Sequence, residues 1–216
     1  MSEVQIQAGR AILPGNLMIP KNAVGLVLFA HGSGSSRHSP RNQFVARTLN
    51  DAGLATLLFD LFTPEEEAID MRTREHRFNI GLLANRLVHA TRWTKQLEQT
   101  RDLQIGYFGS STGGGAALVA AAEIPQDVGA VVSRGGRADL AGEALAKVQS
   151  PTLLIVGGND DVVIEINEMA RDQMRCEVKL EIIPGATHLF EESGALEKVA
   201  KLVSDWFVDH LGTNRR

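Results

Sequence analysis

The chain has 216 residues, 44% of them hydrophobic and 22% charged, with a formal net charge of −4. That length suits one domain with a substantial core, and the acidic excess argues against nucleic acid or an anionic membrane surface as a partner. The one cysteine, Cys176, excludes an internal disulfide and any cysteine-based zinc site, and fits a reducing compartment.

The opening MSEVQIQAGR has no basic stretch followed by an apolar one, so no secretory leader is expected. No apolar run approaches the roughly 18 residues of a membrane helix, and a cytoplasmic protein is the expectation. VQIQAG and AILPGNLMIP predict two antiparallel strands with a Pro-Gly turn between or within them. AVGLVLFAHG is apolar and β-branched, which predicts a buried strand. PRNQFVARTLNDAG opens on Pro40, spaces Phe44, Val45, Thr48 and Leu49 at helical intervals and stops at Gly53, which predicts a helix. ATLLFDLF is another buried strand, and LFTPEEE reads as the loop after it. From about Arg77 to Gln99, Ile80, Leu83, Leu87, Val88 and Trp93 recur at three- and four-residue steps, the pattern of a long amphipathic helix. QIGYFG, VGAVVS, PTLLIVGG and VKLEIIPG predict strands, with helices beginning near Thr112, Asp139 and Val163, and ALEKVAKLVSDWFVDHL predicts the last helix.

Near-continuous apolar strands alternating with helices predict one α/β domain over residues 1–216. Its mostly parallel sheet has about eight strands and helices on both faces. No insertion is long enough for a separate lid. In such a sheet ligands bind beyond the carboxyl ends of the strands. HGSGSSRH, LFTPEEE, GSSTGGG, SRGGR, GGNDDVV and GATHLFEE all follow strands, so they share that edge.

The stretch YFGSSTGGG admits a phosphate cradle, a plain turn or a nucleophile on a bend. A Walker-type cradle needs Lys followed by Ser or Thr, which is missing here. The loop Gly32-Ser33-Gly34-Ser35-Ser36-Arg37 begins like a dinucleotide fingerprint, but puts Arg where the third glycine must pack. Gly109-Ser110-Ser111-Thr112-Gly113 matches G-x-S-x-G at a strand-to-helix bend, where the central serine is exposed at the tip. Ser111 is therefore the candidate nucleophile, and Ser110 is a small spacer.

A serine needs a base, and the base needs an acid to orient it, in the chain order Ser, Asp or Glu, His. His188 lies in the loop after the last predicted strand, whereas His210 falls in the final helix with a solvated or capping role. Asp160 and Asp161 both sit in GGNDDVV; Asp160 is the preferred acid, leaving Asp161 as an N-cap or first-turn residue. The oxyanion N–H donors are expected from Thr112 and from Ser33, with Gly34 next after Ser33. His31 is expected to shape its loop by hydrogen bonding. Arg37, Arg41 and Arg134 follow strands at the same edge, and either bind an anionic substrate or pair with carboxylates such as Asp60, Glu65, Glu66 or Glu67. No metal or cofactor is expected.

The HGSGSS loop, the GSSTG elbow, the GGNDDVV loop and the GATHLFEE loop resemble the α/β-hydrolase superfamily, and within it the small, lidless dienelactone hydrolase-like branch. The resemblance spans essentially the whole chain, and implies an α/β-hydrolase fold and a small-molecule ester as substrate. Similar domains stand beside or are fused to phosphoribosyltransferase domains. Dienelactone hydrolase proper carries cysteine at the elbow; here the position is Ser111, and Cys176 lies elsewhere. Ester hydrolysis through a seryl intermediate is the expected activity, with thioesters and lactones equally open. A non-catalytic binding protein on the same scaffold is the alternative.

Overall fold

The structure, a computed structural model, describes residues 1–212. Eight strands form one sheet in the order β1-β2-β4-β3-β5-β6-β7-β8. β1 (Ser2–Ala8) and β2 (Ala11–Met18) form the antiparallel start, turning at Gly9 and Arg10, so Pro14 and Gly15 lie inside β2. β2 runs antiparallel to β4 (Ala55–Phe59), and every later pairing is parallel. β3 (Leu26–Ala30), β5 (Ile105–Ser110), β6 (Val128–Arg134), β7 (Thr152–Gly157) and β8 (Val178–Ile183) therefore end at one edge. Their register sets Ala30 beside Gly109 and Ser110 beside Arg134.

Strands β3 to β7 are buried along almost their whole length, because helices cover both faces. On one face α1 (Pro40–Asp51) and α6 (Ala195–Leu211) close over Val27, Phe29, Phe108 and Val132. On the other, α3 (Ile80–Thr94) and α4 (Thr112–Glu123) pack over Leu28, Tyr107 and Val131. α5 (Asp161–Gln173) leans on a 3₁₀ segment, Ala138–Lys147, which is kinked at Gly142. Apolar burial on both faces is the main stabilising force of such a sheet.

Two differences from the sequence expectation have local causes. LFTPEEE is not all loop: α2 (Pro64–Thr73) starts there, with Pro64 at its first position. Thr63 and Glu66 form a reciprocal capping box, Thr63 Oγ1 accepting from Glu66 N at 3.2 Å and Glu66 Oε2 from Thr63 N at 2.9 Å. The long helix starts three residues later than Arg77, because Arg77 is drawn to the buried Asp70, donating from Nε at 2.8 Å, and Asn79 caps the helix instead.

The crossing of β5, α4 and β3 is tight. A Cβ on Gly109 would lie 2.3 Å from the Gly113 carbonyl oxygen, and one on Gly113 would lie 2.2 Å from the Ala30 oxygen. Both obstacles are backbone, so no side-chain rotation relieves them. Gly113→Ala is expected to cost about 3 kcal/mol or more, at the upper end of overpacking. Urea unfolding checks this, and a loss below about 1 kcal/mol would contradict the geometry.

Candidate active site

Ser111 stands between β5 and α4 with φ 52° and ψ −122°, a left-handed conformation that side chains rarely adopt. Three backbone hydrogen bonds hold it there. Ser111 N donates to the Arg134 carbonyl at 3.2 Å, and the Ser111 carbonyl accepts from Gly114 N and Arg137 N, each at 3.0 Å. Gly32 lies against it, since a Cβ there would be 3.1 Å from Ser111 Cβ. Ser110 is buried on the strand, as suits a spacer.

The loops after β7 and β8 bring Asp160 to His188, with Nδ1 of the imidazole 2.7 Å from Asp160 Oδ2. An ionised carboxylate can only accept, so Nδ1 carries the hydrogen, and in the neutral ring Nε2 then has the lone pair. Asp160 occupies the N-cap position of α5, yet its side chain makes no capping bond and turns to the imidazole instead. Asp161 is the first-turn acid of that helix. His210 donates from Nδ1 to the Trp206 carbonyl at 2.8 Å inside α6, and Cys176 lies half-buried just before β8 with burial raising its thiol pKa.

The residues expected to supply the oxyanion donors are neighbours. Ser33 Oγ is 3.1 Å from Thr112 Oγ1, and it also donates to the Arg77 carbonyl at 3.4 Å. His31 is structural: Nδ1 donates to the Gly32 carbonyl at 3.0 Å and Nε2 accepts from Leu61 N at 3.1 Å. That fixes both ring nitrogens and ties the loop after β3 to the end of β4.

The three arginines separate. Arg37 forms an ion pair with Asp60, whose Oδ1 also accepts from Arg37 N at 2.8 Å. Arg41 pairs with Glu191 at 3.0 Å. Arg134 is 7% exposed, with its guanidinium carbon 5.6 Å from the Phe108 ring centre and 6.0 Å from that of Phe190. Its Nη1 is buried without a hydrogen-bond partner among the described residues. Burial, and secondarily the charge of Arg41, pushes its pKa down to about 10, so the side chain is still a cation at neutral pH.

Sequence reasoning passed over Gly135 and Phe190. Gly135 has φ 52°, and a Cβ on it would meet the His188 ring at 3.3 Å. Phe190 has φ 55° and turns the chain just after His188. The glycine pair in SRGGR directly after a strand was the available signal for Gly135. Among the described residues, no group of three or more His, Cys, Asp or Glu side chains could hold a metal ion, and no helix is long and apolar enough to cross a membrane.

Residues 23–205 match a family described as an alpha/beta hydrolase domain. A crystal structure of dienelactone hydrolase from Anabaena variabilis is 61% identical, covers 97% of each chain and superposes with a TM-score of 0.95. Two Mycobacterium tuberculosis proteins, provisionally named phosphoribosyl transferase, are 57% identical over 209 residues. That match takes in 97% of this chain but only 46% of theirs, so the chain spans about half the length of these curated relatives. Est1E from Butyrivibrio proteoclasticus, 19% identical with a TM-score of 0.82 over 99% of this chain and all of its own, shares the fold.

Burial holds the His31 imidazole pKa below its ordinary value, against smaller raising contributions from the Gly32 carbonyl and Asp60. The unfolded chain takes up a proton near pH 6.5 that the folded chain refuses. Stability is therefore fully present above about pH 6.5 and falls below it, by up to about 1.4 kcal/mol per pH unit until the folded pKa is reached. Urea unfolding at about pH 7.5 and about pH 5.5 should show that loss in the unmodified protein and a smaller one in His31→Gln. Equal losses in the two proteins would contradict it.

Proposed function

The chain belongs to the alpha/beta hydrolase domain family, and from that membership we propose that it is a serine hydrolase of carboxylic esters. Ser111 is the nucleophile, His188 the base and Asp160 the group that orients it. The observation that carries the reading is the 2.7 Å hydrogen bond from His188 Nδ1 to Asp160. It leaves Nε2 free to take a proton at the edge where Ser111 is held with positive φ.

In the proposed mechanism Ser111 Oγ attacks the ester carbonyl while His188 Nε2 takes its proton. The carbonyl π pair moves to oxygen, and N–H groups of Thr112 and Ser33 stabilise that charge. Collapse expels the alcohol, which receives the proton from His188. Water then attacks the acyl-Ser111 ester by the same route, releasing the acid and restoring the serine. The name of the mycobacterial relatives belongs to proteins more than twice as long as the matched segment, and it is not assigned to this chain.

Arg134 is the arginine retained as an anion contact, because Arg37 and Arg41 already face carboxylates. A buried cation lacking a counter-charge is costly, and a carboxylate or phosphate on the substrate would relieve that cost. An anionic ester should then exceed its neutral methyl-capped analogue in kcat/KM by roughly 1.5–3 kcal/mol, with the advantage lost in Arg134→Ala. Equal kcat/KM for the two esters in the unmodified protein would return Arg134 to a packing role.

A fluorophosphonate probe should label the unmodified protein and Ser110→Ala, and fail on Ser111→Ala with the fold intact. Asp160→Asn should lower kcat by about 10⁴, the cost of the wrong imidazole tautomer, while Asp161→Asn should change it little. Labelling of Ser111→Ala at the rate of the unmodified protein would remove the nucleophile assignment, and a larger loss at Asp161 would move the acid by one residue.

A further inference from the structure

The sheet ends sideways at two outer strands, β1 and β8, and they differ. β1 alternates exposed polar residues, Glu3, Gln5 and Gln7, with more buried Val4, Ile6 and Ala8, so it presents no exposed apolar row. β8 is paired on one side only, to β7. Its apolar residues Val178, Leu180 and Ile182 all reach solvent, Ile182 being 41% exposed. An outer strand with an open backbone and an uncovered apolar row is a template for another strand.

The alternation of a strand fixes which groups are open. Thr152 N donates to the Glu177 carbonyl and Gly158 N to the Ile183 carbonyl, each at 2.8 Å. Odd-numbered residues of this strand therefore turn their N–H and C=O groups toward β7, while Val178, Leu180 and Ile182 turn theirs outward. With β7 as its only neighbour, β8 has no sheet partner for these outward groups among the described residues. The side chains alternate as well. Val178 packs against the cluster that holds Ala170 and Met174 of α5, which puts the even-numbered side chains on the α5 face. Lys179 and Glu181 stand on the opposite face, paired with each other at 2.7 Å and both reaching solvent.

A second copy of β8, run antiparallel about a two-fold axis at Leu180, matches both patterns. Leu180 falls opposite Leu180, and Val178 of each copy opposite Ile182 of the other, as pairs that exchange both backbone hydrogen bonds. On the other face Lys179 falls opposite Glu181 twice, in the closer, non-hydrogen-bonded pairs. Charge selects this register. A shift of two residues one way sets Lys179 against Lys179 and Glu181 against Glu177, and the other way sets Glu181 against Glu181. A shift of one residue sets open backbone groups against ones already bonded to β7. A lysine on an outer strand commonly guards it against pairing, but here its complement stands two residues away on the same face.

We propose that β8 pairs antiparallel with β8 of a second copy, joining two eight-stranded sheets into one through cross-strand Lys179–Glu181 contacts. The axis points the two ligand edges in opposite directions, so each copy keeps its own triad, and the dimer does not depend on the serine-hydrolase reading. Sedimentation of the unmodified protein should show a mass that rises with concentration from monomer to dimer and no further. Glu181→Lys sets like charges opposite in both pairs, and so does Lys179→Glu, so each variant alone should associate at least about tenfold more weakly. An equimolar mixture of the two variants restores both opposite-charge pairs across the axis, and should recover dimers of one with the other near the original strength. Both variants lack the ion pair within the chain, so the recovery reports contacts between chains alone. Hydrogen exchange tests the backbone: on dimerisation the Leu180 and Ile182 amides should slow, while the Lys179 amide, turned toward β7 throughout, should not change. A monomer at every concentration, a mixture no tighter than its separate variants, or a dimer whose Leu180 and Ile182 amides exchange as in the monomer would overturn the pairing. Masses climbing past the dimer would overturn it too, since a closed β8 pair leaves no further β8 to extend the assembly.

Discussion

The arrangement at the sheet edge depends on one backbone constraint, the left-handed turn at Ser111. A residue with a side chain pays strain to sit at positive φ, on the order of 1–3 kcal/mol, and persists only where its surroundings over-determine it. Here they do. The Ser111 N–H is held by the end of β6 and its carbonyl by Gly114 of α4 and Arg137 of the loop after β6, while Gly109 and Gly113 let strand, helix and the end of β3 meet backbone to backbone. Were that approach opened by a single methyl group, the serine and the loop beside it would move together.

The end of β6 couples the two halves of the site. The Arg134 carbonyl fixes the turn at Ser111, and its side chain lies over Phe108 of β5 and over Phe190 just past His188. Gly135, the next residue, is the floor against which the His188 ring rests. Asn167 of α5 reaches the same loop, donating to the Gly136 carbonyl at 2.9 Å, so the helix that follows Asp160 is tied to it as well. The parallel register of β5, β6 and β7 makes these contacts possible, by ending the strands at one level.

Much of this was legible in the sequence because the signals were local. Alternation of apolar runs with helical patterns gave the sheet and its two covered faces, and G-x-S-x-G at a strand end marked the bend at Ser111. The Asp160–His188 pairing could be anticipated from loop order alone, since in this fold both loops must reach one edge. The start of α2 was missed although Thr63-Pro64-Glu65-Glu66 spells a capping box, because LFTPEEE follows a strand and was placed with the loops of the ligand edge. The arginines could not be sorted from sequence at all. Arg37 and Asp60 are 23 positions apart, Arg41 and Glu191 are 150, and only folding decides which carboxylate each one meets. The seat of His188 on Gly135 is likewise a contact between distant segments, invisible to any pattern of period two or 3.6.

The role given to Ser111 is most directly tested by trapping the covalent intermediate. Stopped-flow mixing of the unmodified protein with an excess of p-nitrophenyl acetate should release a burst of nitrophenolate close to one equivalent of enzyme. Acid quenching and peptide mass spectrometry should then place one acetyl group on Ser111. An acetyl group on Ser110 or Cys176 instead, or hydrolysis with no acyl adduct on any residue, would contradict it.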